Sequence, residues 1–439
     1  MTYFVTGATG FIGRHLLEEL LARKGDIYCL VRKGSQGKFD SLRASFGDGG
    51  ERLIAVHGDL AKAALGVAPA QRKALTGKIK HFFHLAAIYD LGADAASQVI
   101  ANVDGTRNAL QLADALKAAC FHHVSSIAVA GMYSGVFRED MFDEAEDLGH
   151  PYFKTKHDSE ALVRESKRAY RIYRPGVVIG SSKTGEMDKI DGPYYFFRAL
   201  KKLRQALPPW MPTIGLEGGR INLVPVDFVV AAIDHIAHKP GLDGGVFHIT
   251  DPAPRRIGEV LNIFARAGHA PQMTMRVDAR MFGFVPAVVK QALASLPPVK
   301  RFTNVLLRDL GIPADAMRMI NYPTRFDCRE TERALKGTKI RVPDINDYAW
   351  RLWDYWERHL DPDLFVDHSL SGKVKGRRVL ITGGSSGIGK AAALKIAAAG
   401  AKVLICARGA DELDAARKEI VDAGGICHTY VADLAEQKS

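Results

Sequence analysis

The sequence predicts an α/β protein: a doubly wound parallel sheet with a smaller, mostly helical cap, followed by the opening half of a second sheet of the same kind. Three observations predict it. A short apolar strand at 3–6 runs into Gly7-Ala8-Thr9-Gly10-Phe11-Ile12-Gly13 and then a helical pattern with Leu16, Leu17, Leu20 and Leu21 on one face. Further short apolar strands, separated by helical patterns, end in glycine, alanine, serine or aspartate. From residue 378 the strand, glycine turn and helix begin again.

In the first turn, glycines let the backbone approach a pyrophosphate, and the helix N-terminus offers free N–H groups and a positive dipole end. Gly7, Thr9, Gly10, Phe11, Ile12 and Gly13 form the candidate phosphate cradle. A glycine triplet alone also fits an ordinary tight turn. The next strand, residues 27–31, ends at Arg32-Lys33, where an NAD enzyme usually places an acid for the ribose 2′-hydroxyl. A basic residue there suits a 2′-phosphate, so Arg32 points to NADPH. The strand at 53–56 leads to Gly58-Asp59-Leu60; Asp59 reads as a partner for the adenine amino group or as a loop cap. The run His81–Ala87 is a buried strand whose small residues, Ala86 among them, let a cofactor lie against the backbone. His84 has no metal partner spaced near it and reads as structural; no metal site is expected. A helix from about Ser97 carries Asn102, a residue whose cost inside a helix suggests a side-chain task.

The strand around His123–Ser126 ends in hydroxyls, and Tyr152 and Lys156 follow one helical turn apart. Together Ser126, Tyr152 and Lys156 make a candidate acid site. Ser126 would hold a substrate oxygen, Tyr152 would protonate it, and the Lys156 ammonium would lower the phenol pKa from about 10.

Composition bounds the rest. The 439 residues are 47% apolar, enough for two or three domains with proper cores. Five scattered cysteines without C-x-x-C spacing argue for a reducing compartment, and no signal peptide or apolar run of membrane-spanning length is present. A cytoplasmic protein is expected. Lys plus Arg number 60 against 49 Asp plus Glu, a net charge of +11. That surplus fits a solvated surface, or attraction to a phosphorylated cofactor, a CoA-like substrate or a peripheral membrane face. No arginine-rich tract, zinc spacing or RNP-like motif favours nucleic acid.

With these residues placed, the sequence resembles the extended short-chain dehydrogenase/reductases. The matching features are Gly7-x-x-Gly10-x-x-Gly13, Asp59-Leu60, His84-Leu85-Ala86-Ala87, Asn102, Ser126, Tyr152-x-x-x-Lys156 and Arg174-Pro175-Gly176-Val177-Val178-Ile179-Gly180. The resemblance implies a Rossmann sheet over about residues 1–180, the nicotinamide over Ser126 and Tyr152, and Pro175 and Val178 beside it. Substrate-binding parts would lie mainly at about 181–220 and 250–345 of a domain spanning 1–360. Ala130 stands where nucleotide-sugar members commonly carry a tyrosine. The wording around Asp191–Trp210 and Ile221–Asp227 resembles the bacterial two-domain, alcohol-forming fatty acyl-CoA reductases. The apolar stretches Met281–Pro286 and onward to Leu307 read as a helical cap or as a wall for a long acyl chain, and the helix with Trp350, Trp353, Tyr355 and Trp356 as a core face or domain contact.

A linker is expected at 361–372. Beyond it, Gly383, Ser385, Gly387, Ile388 and Gly389 follow the turn of the compact short-chain dehydrogenases, with Arg408 again suited to a 2′-phosphate and Asp433 at the end of the third strand. No second Tyr-x-x-x-Lys follows before Ser439, so 373–439 is expected to be an incomplete second domain. The combined expectation is NADPH-dependent reduction of a long-chain acyl-CoA or fatty aldehyde. Alternatives are a hydroxysteroid or nucleotide-sugar dehydrogenase or epimerase, and a non-catalytic NADPH-binding module.

Overall fold

The computed structural model describes residues 1–88, 94–278 and 322–435. The chain divides into two compact units, 1–358 and 359–439.

The first unit is built on seven parallel strands: β1 (Tyr3–Thr6), β2 (Ile27–Val31), β3 (Leu53–His57), β4 (His81–His84), β5 (Cys120–Val124), β6 (Tyr170–Pro175) and β7 (Val246–Ile249). Their spatial order is β7-β6-β5-β4-β1-β2-β3. The order reverses between β1 and β4, where Thr6 lies opposite His84. That switch point opens a crevice at the carboxyl ends of the strands. Both faces of the sheet are covered, so β1 and β5 are buried at every residue and read as continuous rather than alternating apolar runs. On one face Tyr3, Val5 and Phe83 pack with Leu16 and Leu20 of helix Phe11–Leu21 and Ile233 of helix Val226–His238. On the other, Phe4, Phe82 and Phe121 pack with Leu112 of helix Gly105–Ala115 and Val163 of helix Pro151–Glu165.

The cap combines helices with short parallel strand pairs, among them Val177–Ile179 with Leu223–Pro225 and Gly135–Phe137 with Thr324–Phe326. The aromatic helix, Ile345–His359, is a core face: Trp353 and Trp356 are buried, with ring centroids 5.0 and 5.6 Å from Phe197. Trp350 lies on the exposed side. Met281–Pro286 and the stretch to Leu307 lie outside the described residues.

In the second unit three parallel strands, Arg378–Thr382, Lys402–Ala407 and Ile426–Val431, follow one another in order. Helices Gly387–Ala398 and Ala410–Asp422 cover one face through Ala393, Leu413, Ala416 and Ile420. The other face shows Leu380, Leu404 and Tyr430 to solvent. The segment expected to be a linker carries a 3₁₀ turn, Pro362–Phe365, and the start of helix Leu370–Val374. No helix among the described residues is long and apolar enough to cross a membrane.

Candidate active site

At the switch point the glycine turn closes on itself. Gly7 has φ +74°, the left-handed region, and a Cβ there would lie 2.7 Å from the Ala86 backbone nitrogen. A Cβ on Gly13 would lie 2.9 Å from the Gly7 carbonyl carbon and nearer still to its oxygen. The Gly10 N–H donates to the Gly7 carbonyl (3.0 Å), and Gly10 sits at the N-cap of helix Phe11–Leu21. The glycines thus let the turn, the helix start and the chain at Ala86 pack backbone to backbone, and Gly7, Gly10 and the first residues of the 11-residue helix line one cavity. This cradle fits a dinucleotide.

Of the residues singled out from the sequence, Gly7, Gly10, Phe11, Ile12, Gly13, Ser126, Tyr152, Lys156 and Val178 line one cavity of about 570 Å³. Leu85, Ala87, Gly176, Val177 and Gly180 of the quoted motifs line it too, and the remaining candidate site residues stand behind or beside it. Thr9 is half-buried in the turn. The Ala86 N–H donates to Thr6 Oγ1 (3.3 Å), and Pro175 is buried at the end of β6 opposite Ile249. Arg32 is exposed just beyond β2. Asp59 acts as the loop cap, its Oδ1 accepting from the Ala61 N–H (3.0 Å), and the Leu60 carbonyl accepts from Asn108 Nδ2 (2.7 Å). In the second unit Gly383 (φ +68°) and Gly387 (φ +54°) shape an equivalent turn, and a Cβ on Gly389 would lie 2.7 Å from the Gly383 carbonyl carbon. Ser385 is half-buried in that turn, Ile388 and Arg408 are exposed, and Asp433 caps the Ala435 N–H (3.0 Å).

Helix Pro151–Glu165 carries the candidate acid. His150 caps it, Nδ1 accepting from the Tyr152 N–H (3.1 Å), and Pro151 supplies the first-turn residue that needs no donor. The Tyr152 phenol is buried and hydrogen-bonded to Ser126. Ser126 is fixed in turn by its Oγ, which accepts from the Ala128 N–H (3.2 Å). Lys156 Nζ, also buried, donates to the Val124 carbonyl at the end of β5 (3.3 Å). The expected lowering of the Tyr152 pKa is not what the structure holds. Burial pushes the phenol up, the Ser126 hydrogen bond only partly offsets this, and Asp191 adds to the rise. Burial also draws Lys156 down to about 8, against the pull of Glu160. The pair is therefore a neutral phenol beside an ammonium close to its titration point.

Asn102 lies in a π-helical segment, Val99–Asp104, not in a regular helix. The extra residue turns its side chain inward. Oδ1 accepts from the Ile88 N–H (2.8 Å), and Nδ2 donates to the Ile88 carbonyl and to Thr155 Oγ1 (both 3.2 Å). It pins the loop after β4 to the helix of Tyr152. His84 is structural, held between Thr6 Oγ1 (2.8 Å) and Thr106 Oγ1 (3.1 Å) and kept neutral by burial.

Sequence reasoning missed Glu160. It is fully buried one turn beyond Lys156, and accepts from Ser125 Oγ (2.8 Å), Arg164 Nε (2.9 Å) and Arg174 Nη2 (2.6 Å). Burial raises its carboxyl, but Arg174, Arg164 and Ser125 outweigh that and hold it at about 2. The available signal was a glutamate at i+4 from the lysine, on the helix face that the tyrosine turns inward.

Comparison with known proteins places these features. The family model described as "Male sterility protein", an NAD-binding domain, matches residues 5–233, and the short chain dehydrogenase model matches 377–439. Glycine betaine reductase ATRR of Emericella nidulans is 29% identical over all of this chain. The L-2-aminoadipate reductase large subunit of Penicillium chrysogenum is 31% identical over 62% of it. The chain spans 35% and 21% of their respective lengths. Among solved structures, the terminal R domain of the myxalamid PKS-NRPS pathway superposes with a TM-score of 0.63 at 26% identity, covering 82% of this chain and 91% of that one. The UDP-glucuronic acid 4-epimerase of Bacillus cereus with NAD (TM-score 0.54, 20% identity, covering 82% of this chain and 98% of that one) shares the fold. With its model matching more than half of the sequence, the chain belongs to the Male sterility protein family of NAD-binding domains.

Proposed function

We propose that the first unit catalyses NADPH-dependent reduction of an acyl thioester, of the long-chain acyl-CoA kind, or of the matching aldehyde, towards the alcohol. One observation carries the reading: the hydrogen-bonded Ser126–Tyr152 pair, backed by Lys156, opens into the same largely apolar cavity as the glycine turn. Gly7, Gly10, Gly13, Phe11 and Ile12 would hold the pyrophosphate, and Val178 and Pro175 would flank the nicotinamide, which when bound supplies a hydride to the substrate carbonyl carbon. Arg32 would meet a 2′-phosphate. Ser126 orients the carbonyl oxygen. Tyr152, kept protonated by burial, gives its proton to that oxygen, which as an alkoxide is far more basic than a phenolate. Lys156 stabilises the phenolate left behind. With a thioester, the hemithioacetal so formed would break its C–S bond and release the thiol and the aldehyde, and a second NADPH would be needed to carry the aldehyde to the alcohol. The acyl group would lie against Phe153, Met187, Phe196, Val260, Leu261 and Tyr322. Reductase relatives such as the aldehyde reductase lnbA of Aspergillus flavus (30% identical over 57% of this chain, which spans 26% of it) support the reaction class. The linker at 361–372 and a separate nucleotide-binding unit from 373 onward belong to the same reading.

Product analysis after incubation with NADPH and palmitoyl-CoA, alongside hexadecanal, tests the proposal. Aldehyde or alcohol should form with matching NADPH consumption. Purified protein carrying tightly bound NAD and giving no net redox change would place the chain with the epimerases instead.

A further inference from the structure

We propose that Glu160 is a positioning residue: a fixed buried anion that keeps the Lys156 ammonium charged and anchors the end of β5 that presents Ser126. The inference rests on the reductase reading and extends it one layer behind the acid.

Tyr152, Lys156 and Glu160 follow at four-residue intervals on helix Pro151–Glu165, on one face over about two turns. All three are buried. An ammonium taken out of water stays charged only if an anion or acceptors replace the lost solvation. Its hydrogen-bond acceptor here is the neutral Val124 carbonyl. The formal negative charge is that of Glu160.

The carboxylate cannot swing away. Oε2 holds Ser125 Oγ, next to Ser126, and Oε1 holds Arg164 and Arg174. Arg174, fully buried, is itself locked: Nη2 donates to the Met141 carbonyl (3.0 Å) and Nη1 lies 3.1 Å from His248 Nε2. His248 Nδ1 is 2.7 Å from the Asp327 carbonyl, so it carries the proton, and Nε2 accepts from the guanidinium. The network therefore runs from the Asp327 backbone through β7 and β6 to the catalytic helix and back to β5.

The other charged or titratable groups facing this pair do not supply the anion. His84 from β4, His123 from β5 and His248 from β7 are held neutral by burial. Arg174 and Arg164 are cations, and Asp191, which lines the cavity, acts on Tyr152 and not on Lys156. Burial draws Lys156 down and Glu160 opposes it.

The test is titration of Lys156 in the full chain by NMR of ¹³Cε-labelled lysine, with its resonance assigned by loss in Lys156→Met. Glu160→Gln should move the midpoint down from about 8 by roughly one pH unit or more. Glu160→Asp should restore most of it. Arg174→Met, which keeps the carboxylate, should not lower it. The alkaline limb of NADPH-dependent turnover should move with the midpoint. If Glu160→Gln does not fold because Arg174 is left unpaired, Glu160→Gln/Arg174→Met replaces it with Arg174→Met as its reference, against which the downward shift is expected. An unchanged midpoint in a folded variant lacking the carboxylate overturns the proposal. The titration needs no substrate, so failure of the reductase reading would show separately, as absent turnover in the wild-type protein.

Discussion

Substituting Gly13 by alanine separates a phosphate cradle from a mere connector. The new methyl group would lie 2.9 Å from the Gly7 carbonyl carbon, nearer to its oxygen, and 3.0 Å from the Ala8 carbonyl carbon. These are backbone atoms at the end of β1, so no side chain can move aside. Helix Phe11–Leu21 must shift away from the turn. Overpacking of this kind costs about 1–3 kcal/mol, a drop of a few degrees in melting temperature for a unit of this size. The same shift turns the first N–H groups of the helix away from the pyrophosphate position, and NADPH affinity should fall at least ~10-fold, or about 1.4 kcal/mol. Gly10→Ala is the control. Its methyl meets only the Gly7 oxygen, at 3.2 Å, and Gly10 lines the cavity, so melting should stay near wild type while affinity falls. Thermal melts without cofactor and calorimetric NADPH titrations of both variants provide the assay. Wild-type melting and wild-type affinity in Gly13→Ala would refute the argument.

Two further outcomes follow from the same structure. Arg32→Glu should remove a charge-assisted contact worth about 1.5–3 kcal/mol and shift the NADPH-to-NADH preference in kcat/KM by roughly 10- to 150-fold; an unchanged ratio would remove Arg32 from the cofactor site. Burial holds His81 near 4, His84 and His248 near 3, and His122 and His123 well below their ordinary value. Unfolded imidazoles take up protons below about pH 6.5 whereas these do not, so the unfolded state binds more protons from there down to pH 3–4 and stability falls with pH across that window. Urea midpoints for the first unit should drop steadily from pH 7 to pH 5, and a flat midpoint would contradict this.

The parts of the site legible in the sequence are those fixed by local geometry. Gly7, Gly10 and Gly13 build a turn whose spacing is set by the backbone, and Tyr152 and Lys156 share a helix face at i and i+4, so short motifs were enough to bring them to one cavity. The supporting layer was not legible. Glu160, Arg174 and His248 come from a helix and two strands, and their contacts span 14 and 74 residues of sequence. Nor does a motif carry burial: the same residues that form a Tyr-x-x-x-Lys pair give a raised phenol once the cavity wall closes over it. Asn102 shows the middle case. Its side-chain task was visible as a propensity cost, but its partner, the Ile88 backbone, and the π-helical turn that aims it were not.

The most direct test of the reductase reading is transfer of the label from [4,4-²H₂]NADPH to hexadecanal, followed by mass spectrometry of the alcohol. The account predicts deuterium at the carbinol carbon with the wild-type chain, and a rate lower by about 10²- to 10⁴-fold with Tyr152→Phe. No label in the product, or an undiminished rate in Tyr152→Phe, would contradict it.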